Sequence, residues 1–312
     1  MFLDKQKLIE LGLQKKSGKI DKTWDELAEP YGIRGEMLRD WVKKKQKKDG
    51  TLSGKYEKGK TKILVISDQH YPFNLPIDIY KDYAGKVDVL AINGDFLDCY
   101  SLSKFVKKYR VPFIEELIGA RLFMIELIKY INPKKVLINY GNHSARLLPS
   151  ISEKMQPELM ALMPKTPLSL LIDSGFYNYD HRNKTKTFHE PISKVFNNIE
   201  VVYTDDWWCR VGNTIMAHPA AFNQGILKTT EKAYLYFLQK GENPFDCIVL
   251  SHTHHQGVGR YVSTFLYETG CTCQEMDYVE SKLIRPAEVG FAYIVQDKDG
   301  NFLYDESKLI CL

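Results

Sequence analysis

The chain has 312 residues, 44% of them hydrophobic and 26% charged, with a net charge of +4. This is the composition of a folded globular protein rather than a disordered one, and the length suits one large domain with a small appendage or two medium ones. The longest apolar runs are strand-length, which excludes a membrane-spanning helix. The N-terminus "MFLDKQKLIELGLQKK" lacks the apolar stretch and cleavage site of a signal peptide, so a cytoplasmic protein with no membrane partner is expected.

The positive charge is unevenly placed. Residues 1–60 carry 16 Lys and Arg against 10 Asp and Glu, whereas the remaining 252 residues carry 27 against 29. A basic appendage of this kind is drawn to polyanions. Within it, "KTWDELAEPYGIRGEMLRDWVKKK" predicts two helices around a tight turn. Thr23 and Glu26 form a capping box that starts the first helix. Leu27, Ala28 and Tyr31 share one face, Gly32 ends the helix, and Met37, Leu38, Trp41 and Val42 supply the apolar stripe of the second. Pro30 falls late in the first helix, where it removes a backbone hydrogen bond unless that helix is already ending. The stretch resembles the helix-turn-helix modules of DNA-binding proteins. That resemblance implies a second helix presenting Arg34, Glu36, Arg39 and Asp40 outward, followed by the basic run Lys43, Lys44, Lys45, Lys47 and Lys48. Arg34, Arg39, Lys43, Lys44 and Lys45 are the candidate DNA contacts. The other reading is a helical hairpin that only packs on the main domain.

A boundary is expected near residues 47–60, where "KKDGTLSGKYEKGK" is charged and nearly free of large apolar residues. This divides the chain into a module over 1–48, a linker over 49–60 and a domain over 61–312. From Thr61 onward short apolar runs recur: "KILVIS", "VDVLAIN", "KKVLINY", "NTIMA" and "DCIVLS". Helix-like stretches such as "PFIEELIGARLFMIELIKYI" separate several of them. Continuous rather than alternating apolar runs predict strands buried on both faces, as in an α/β core.

Each of these runs ends in residues able to ligate a metal. In order they are Asp68 and His70 in "DQH", Asp95 and Asp98 in "GDFLD", Asn142 and His143 in "GNH", then His218, then His252 and His254 in "HTH". Side chains just past the carboxyl ends of neighbouring strands converge on one crevice of an open sheet. Residues at i and i+2 on an extended segment project to the same side, so Asp68 with His70 and His252 with His254 can each serve one cluster, while His255 points away. Gly94 and Gly141 mark places where the backbone must bend tightly.

The ordered set D-x-H, G-D-x-x-D, G-N-H, H and H-x-H resembles the calcineurin-like metallophosphoesterase family over roughly residues 62–256. The resemblance implies an α/β fold, a four-layer αββα sandwich preceded here by the small all-α module, with a hairpin around "QDKDGN" completing one sheet. It implies two divalent metal ions, one held by Asp68, His70 and His254 and the other by Asn142, His218 and His252, with Asp95 bridging them. A mixed nitrogen and oxygen set suits Mn²⁺, the family's expectation, with Fe, Zn²⁺ or Ni²⁺ as alternatives. Such a pair generates a nucleophile from water and neutralises phosphoryl oxygens during in-line attack. The resemblance also places His143 at the leaving group, held cationic by Asp98. Arg146, one helical turn further on, is a candidate phosphate clamp or a surface salt-bridge partner.

The departures from the family pattern are Ser144 after "GNH", Ser251 in place of a glycine before "HTH", and Cys99 and Tyr100 where protein phosphatases continue with arginine and glycine. The last argues against a protein phosphatase. Between His143 and His218 lie 74 residues, of which about 144–198 are expected to form a cap over the metals. His181, Arg182, Lys184 and Lys186 in this segment either track a phosphate backbone or form a solvated loop. Of the adjacent Trp207 and Trp208, one is expected in the core and the other is a candidate for stacking a base. The six cysteines are expected as reduced thiols; only Cys271 and Cys273 are close, and one C-x-C pair is a weak zinc signal.

Phosphoester chemistry joined to a basic module points first to a metal-dependent DNA nuclease targeted by its N-terminal segment. The alternatives are a phosphodiesterase or phosphatase acting on small nucleotides or other phosphoesters, and a DNA-binding protein with an idle metal site. The intact ligand set argues against the last.

Overall fold

The computed structural model describes residues 5–16, 20–48, 59–104, 111–152, 154–242, 244–274 and 286–312, with the side chains of residues 5, 6 and 43–48 outside that description. Its N-terminal part has three helices, α1 (Lys5–Lys16), α2 (Trp24–Ala28) and α3 (Gly35–Lys48), where two were expected. The additional α1 was obscured by Gly12, which interrupts its apolar pattern. A Cβ at Gly12 would meet Val42 at 2.4 Å, so this glycine is what lets α1 lie close against α3. The capping box forms: Glu26 N donates to Thr23 Oγ1 at 3.2 Å and Thr23 N donates to Glu26 Oε2 at 2.5 Å. Pro30 disrupts nothing, because α2 stops at Ala28 and the proline sits in the following 3₁₀ turn, which Gly32 closes at φ +67°. Leu8, Leu27, Ala28, Leu38 and Val42 are buried together, whereas Met37 is 40% exposed and leaves the expected stripe.

The remaining strands are β1 (Thr61–Ile66), β2 (Val89–Asn93), β3 (Lys135–Asn139), β4 (Phe176–Asp180), β5 (Thr185–His189), β6 (Glu200–Tyr203), β7 (Trp208–Val211), β8 (Thr214–Ala217), β9 (Cys247–Leu250), β10 (Gln256–Tyr261), β11 (Thr264–Thr269), β12 (Gly290–Gln296) and β13 (Lys308–Cys311). The helices are α4 (Phe113–Ile131), the short α5 (Leu147–Ile151) and α6 (Pro157–Met160), and α7 (Lys228–Lys240). Among the described residues the strands form one sheet ordered β13-β12-β1-β2-β3-β6, a second ordered β10-β11-β9-β8-β7, and the hairpin β4-β5. β1, β2, β3 and β6 run parallel, as do β8, β9 and β11.

The continuous apolar runs follow from this layering. Ile63, Val65, Val89, Ala91 and Leu137 face Cys209, Val211, Met216, Cys247 and Val249 of the other sheet. The alternate residues Leu64, Ile66, Leu90, Ile92, Val136 and Ile138 pack outward against Ala120, Met124, Leu127 and Ile128 of α4. On the far side, Ile215, Ala217, Ile248 and Leu250 pack against Ala233, Tyr234 and Phe237 of α7. The result is a four-layer αββα sandwich.

Register carries the layering to the site. Ile66 pairs with Ile92, Asn93 with Asn139, and Ala217 with Leu250, so the parallel strands of each sheet end level. Asn93 Nδ2 reaches across to Ala217 O at 3.1 Å and Ser251 Oγ at 2.7 Å, and Asn139 Nδ2 donates to Asn93 Oδ1 at 3.0 Å. These buried amides tie the two sheets together at their carboxyl ends.

In the segment over 144–198, Leu168, Leu171, Ile172, Phe176 and Ile192 are buried in the same core as β2 and β3. The exposed side chains Tyr177, Tyr179 and Phe188 belong to the β4-β5 hairpin. No helix among the described residues is long and apolar enough to cross a membrane.

Met216 is fully buried between the sheets two residues before His218. Met216→Ala should therefore lower unfolding stability by about 2–5 kcal/mol through the cavity it leaves, measured as a reduced urea midpoint at unchanged slope.

Candidate metal centre

The strand ends bring Asp68, His70, Asp95, Asn142, His218, His252 and His254 to one place. One ligand atom from each of Asp68, His70 and His254 lies within 4.8 Å of the others, and the same holds for Asp95, His218 and His252. Asn142 joins the second group, its Oδ1 3.3 Å from His218 Nε2. The set is deeply buried, with Asp68, His70, Asp95 and His218 at most 1% exposed. Five of these residues hold left-handed backbone: Asp68, His70, Asp95, His252 and His254 have φ of 49°, 48°, 43°, 82° and 54°. Each such residue costs about 1–3 kcal/mol and persists where its surroundings enforce it.

Two glycines shape the crevice. Gly94 has φ +80°, and a Cβ there would meet the His218 ring at 2.3 Å. A Cβ on Gly141 would lie 2.1 Å from Asp95 Oδ1. Both positions need a residue without a side chain because the ligands occupy that space.

The hydrogen bonds orient each ligand. His218 Nδ1 lies 2.9 Å from Asn93 O, a pure acceptor, so Nδ1 carries a proton and Nε2 points toward Asp95 Oδ2 at 3.0 Å, where it meets a proton or a cation. His70 Nδ1 faces Asp98 Oδ1 at 3.1 Å, which likewise turns its Nε2 inward. That nitrogen sits 3.3 Å from His254 Nε2 and 3.8 Å from Asp68 Oδ1. Asp68 Oδ2 accepts from His252 N at 3.1 Å, while the buried Oδ1 has no hydrogen-bond partner and lies 3.2 Å from His254 Nε2. Converging lone pairs around an orphaned carboxylate oxygen repel one another unless a cation or proton lies among them. The donor set thus fits a divalent ion held by Asp68, His70 and His254, and a neighbouring one held by Asp95, Asn142, His218 and His252.

A proton can take that cation's place: against the pull of burial, the neighbouring carboxylates raise His70, His218 and His254 above the ordinary imidazole value. Burial alone would raise the Asp68 and Asp95 carboxyls, but His218 together with His254 for Asp68, and His218 together with His143 for Asp95, hold both well below the usual range. Burial pulls His252 down to about 4, aided by the neighbouring His218. His70 resists the same burial through Asp68 and Asp98 and is pushed up to about 9.

Asp98 and His143 meet beside this cluster. His143 Nδ1 lies 2.8 Å from Asp98 Oδ1 and 3.0 Å from Asp98 O. The expectation that Asp98 holds His143 cationic is corrected by the structure. Burial, with His70 nearby, outweighs Asp95 and Asp98 and lowers the imidazole's pKa. Arg146 is the geometric counterpart: its guanidinium donates to His143 Nε2 at 2.9 Å and to Asp98 O at 3.0 Å. A nitrogen that accepts from guanidinium carries no proton, so His143 is neutral with its proton on Nδ1. Arg146 is thereby tied to the His143–Asp98 pair at the edge of the centre.

Sequence reasoning passed over Glu116 and two buried amides, and gave the Cys271–Cys273 pair only a weak zinc signal. Glu116 of α4 is 1% exposed and accepts from the backbone N–H of Cys99 at 2.6 Å and Tyr100 at 3.1 Å, which pins the loop bearing Asp98. Burial and the nearby Asp98 push its carboxyl up to about 8. Cys271 and Cys273 each bring a sulfur within 4.8 Å of a His254 ring nitrogen, although all six cysteines are unbridged, as expected. The amides of Asn93 and Asn139 close the list. The only signals were an acidic residue inside an apolar helix pattern and the C-x-C spacing. Ser251 accepts from Asn93, and Ser144 is buried behind the G-N-H turn, so neither departure disturbs the ligands. His255 packs on Phe222, with ring centroids 5.9 Å apart. Among the candidate DNA contacts, Arg34 and Arg39 are exposed on the N-terminal module, and the side chains of Lys43, Lys44 and Lys45 lie outside the described residues.

A family model described as calcineurin-like phosphoesterase matches residues 61–256. No curated protein matches the chain. Among solved structures, vacuolar protein sorting 29 from Cryptosporidium parvum is similar at 14% identity over 77% of this chain and 86% of that one, with a TM-score of 0.39. A novel archaeal phosphodiesterase is similar at 14% identity over 81% of this chain and 100% of that one, with a TM-score of 0.33. A predicted phosphoesterase from Streptococcus pneumoniae is similar at 14% identity over 81% and 98%, with a TM-score of 0.28.

Gly141→Ala should drive the Asp95 carboxylate from its place while leaving the sandwich folded. The expected result is an unchanged circular dichroism spectrum with at least a tenfold loss of divalent-metal affinity by calorimetry, the scale on which removal of a supporting group acts.

Proposed function

Because this chain belongs to the calcineurin-like phosphoesterase family, whose members depend on a dinuclear metal centre, we propose that it hydrolyses phosphodiester bonds of DNA with two Mn²⁺ ions, and that its N-terminal module carries it to that substrate. The observation that carries the reaction is the orphaned Asp68 Oδ1 among the inward-facing nitrogens of His70, His254 and His218. Asp68, His70 and His254 would hold one ion, and Asn142, His218 and His252 the other, with Asp95 between them. When bound, the ions would lower the pKa of water and neutralise phosphoryl oxygens.

The chain's own groups supply the rest. Asp98 holds the Nδ1 proton of His143 and so fixes the ring, whose Nε2 in turn anchors the Arg146 guanidinium. The Arg146 guanidinium, 2.9 Å from that nitrogen, offers a permanent positive charge to the oxygen that develops negative charge as the ester bond breaks. Glu116, by pinning Cys99 and Tyr100, keeps Asp98 in register with both.

Support for DNA as substrate comes from the +6 charge of residues 1–60 and from the exposure of Arg34, just before α3, and of Arg39 on it, after a left-handed Gly32 turn. A second reading, hydrolysis of small phosphodiesters with a structural module, is favoured by Glu36 and Asp40, which are exposed on α3 alongside the arginines.

His143→Ala should retain Mn²⁺ binding while turnover of bis-p-nitrophenyl phosphate falls by about 10²–10³-fold as Arg146 loses its anchor; Asp95→Ala should lose both, and calorimetry beside steady-state kinetics separates the two outcomes. For the DNA assignment, the full chain should shift a DNA duplex in gels with steep salt sensitivity. Replacing Arg34 and Arg39 with Ala should lower the slope of log K against log salt by about one per lost phosphate contact. Unchanged binding in that variant, or no binding at about 50 mM salt, favours the small-phosphodiester reading.

A further inference from the structure

A cavity of about 630 Å³ opens beside the metal centre, and Gly141, Asn142 and His218 belong to both. The rest of its wall is mainly apolar: the rings of Tyr140, Trp207 and Tyr236 and the methyls of Ala145, Ala220 and Ala233. Lys232, exposed on α7, adds a cation to the lining. We propose that this cavity receives the nucleobase of the nucleoside esterified to the reacting phosphate, so that the substrate is an unpaired nucleotide, at a single-stranded segment or a frayed end. The inference rests on the phosphoesterase reading and specifies its substrate.

Position comes first. A phosphate at the Asn142 and His218 corner has its adjoining group directed either to solvent or along this wall. The volume lies within the range of sites that enclose small organic ligands and exceeds a single base. The chemistry of the wall then selects the occupant. Aromatic faces with few polar partners suit a flat π-system bound by stacking, which tolerates any base because every base has a π-face. Such a wall offers no set of donors and acceptors with which to read base identity.

Trp207 is built to serve as a platform. Its carbonyl accepts from His218 N at 2.8 Å and from Asn139 Nδ2 at 3.0 Å, which locks its backbone to the metal centre. Its ring stacks on Phe237 with centroids 5.5 Å apart and planes at 26°, and leans on Tyr236 at 5.3 Å. Trp208, by contrast, is buried against Phe237 and is absent from the cavity wall. A base still paired in a duplex cannot enter without leaving its stack, whereas an unpaired one enters at little cost.

The test uses the full chain loaded with Mn²⁺. Thymidine 5′-monophosphate and 2-deoxyribose 5-phosphate are titrated against intrinsic tryptophan fluorescence, with octyl phosphate as a third ligand. The expected result is that the nucleotide quenches fluorescence and binds on the order of tenfold tighter than the sugar phosphate. That preference should be lost when Ala220→Trp fills the cavity and when Tyr236→Ala, a change at a 43% exposed side chain, opens its wall. Equal binding of nucleotide and sugar phosphate overturns the inference. Tighter binding of octyl phosphate overturns it as well, since the occupant would then be an alkyl chain. Retained preference in both variants places the base elsewhere and also overturns it. Hydrolysis of methyl p-nitrophenyl phosphate, followed in parallel, reads the reaction separately. Equal binding with hydrolysis intact removes the base site and leaves the phosphoesterase, whereas a retained nucleotide preference without hydrolysis does the reverse.

Discussion

Three buried carboxylates, Asp68, Asp95 and Asp98, each lie within 4 Å of one or more imidazole nitrogens, and that concentration of charge sets the terms for the rest of the molecule. Carboxylates out of water are tolerated only when paired and hydrogen-bonded. On the inner side Asp68 Oδ1 lies 3.2 and 3.8 Å from the Nε2 atoms of His254 and His70, a grouping that a cation or a proton holds together. The left-handed backbone at five ligands belongs to the same constraint, since each residue is turned against its preferred conformation so that its side chain points inward.

The two-sheet sandwich is the scaffold that makes such a cluster possible. Parallel strands that end level deliver their following residues to one plane, and two sheets back to back deliver two such sets to one crevice. The Asn93 and Asn139 amides keep those ends aligned by hydrogen-bonding across the sheets where apolar packing gives way to polar chemistry. Amides in a buried network of this kind rigidify the site only because each has its partners.

Around the cluster, charge is divided among more residues than the ligand pattern implies. Arg146 bears the positive charge that a protonated His143 would otherwise carry, and its contact with Nε2 is compatible only with a neutral ring. Glu116 acts one step further out, through the backbone of Cys99 and Tyr100. Cys271 and Cys273 bring soft sulfur near His254, which makes that end of the centre chemically unlike the Asn142 end, where Gly141, Asn142 and His218 open onto an apolar cavity. The centre is therefore asymmetric in its surroundings although its ligands are similar.

How much of this was legible in the sequence depends on the range of the interaction. The strands, the long helix over Phe113–Ile131, the capping box at Thr23 and the Gly32 turn are governed by local periodicity and backbone preference, and the order of motifs was enough to name the family and the residues that the strand ends bring together. Even Gly94 and Gly141 were recognisable as bends, although only the structure shows that the excluded Cβ positions belong to His218 and Asp95. The helix α1 was missed because Gly12 breaks its local pattern, and the reason for that glycine lies 30 residues away at Val42. The protonation of His143, the placement of Arg146 and Glu116, the approach of the cysteine pair and the aromatic cavity were decided by tertiary structure alone. Each depends on the distance and orientation between groups remote in the chain, and on the burial that turns those distances into energies, neither of which residue order encodes locally.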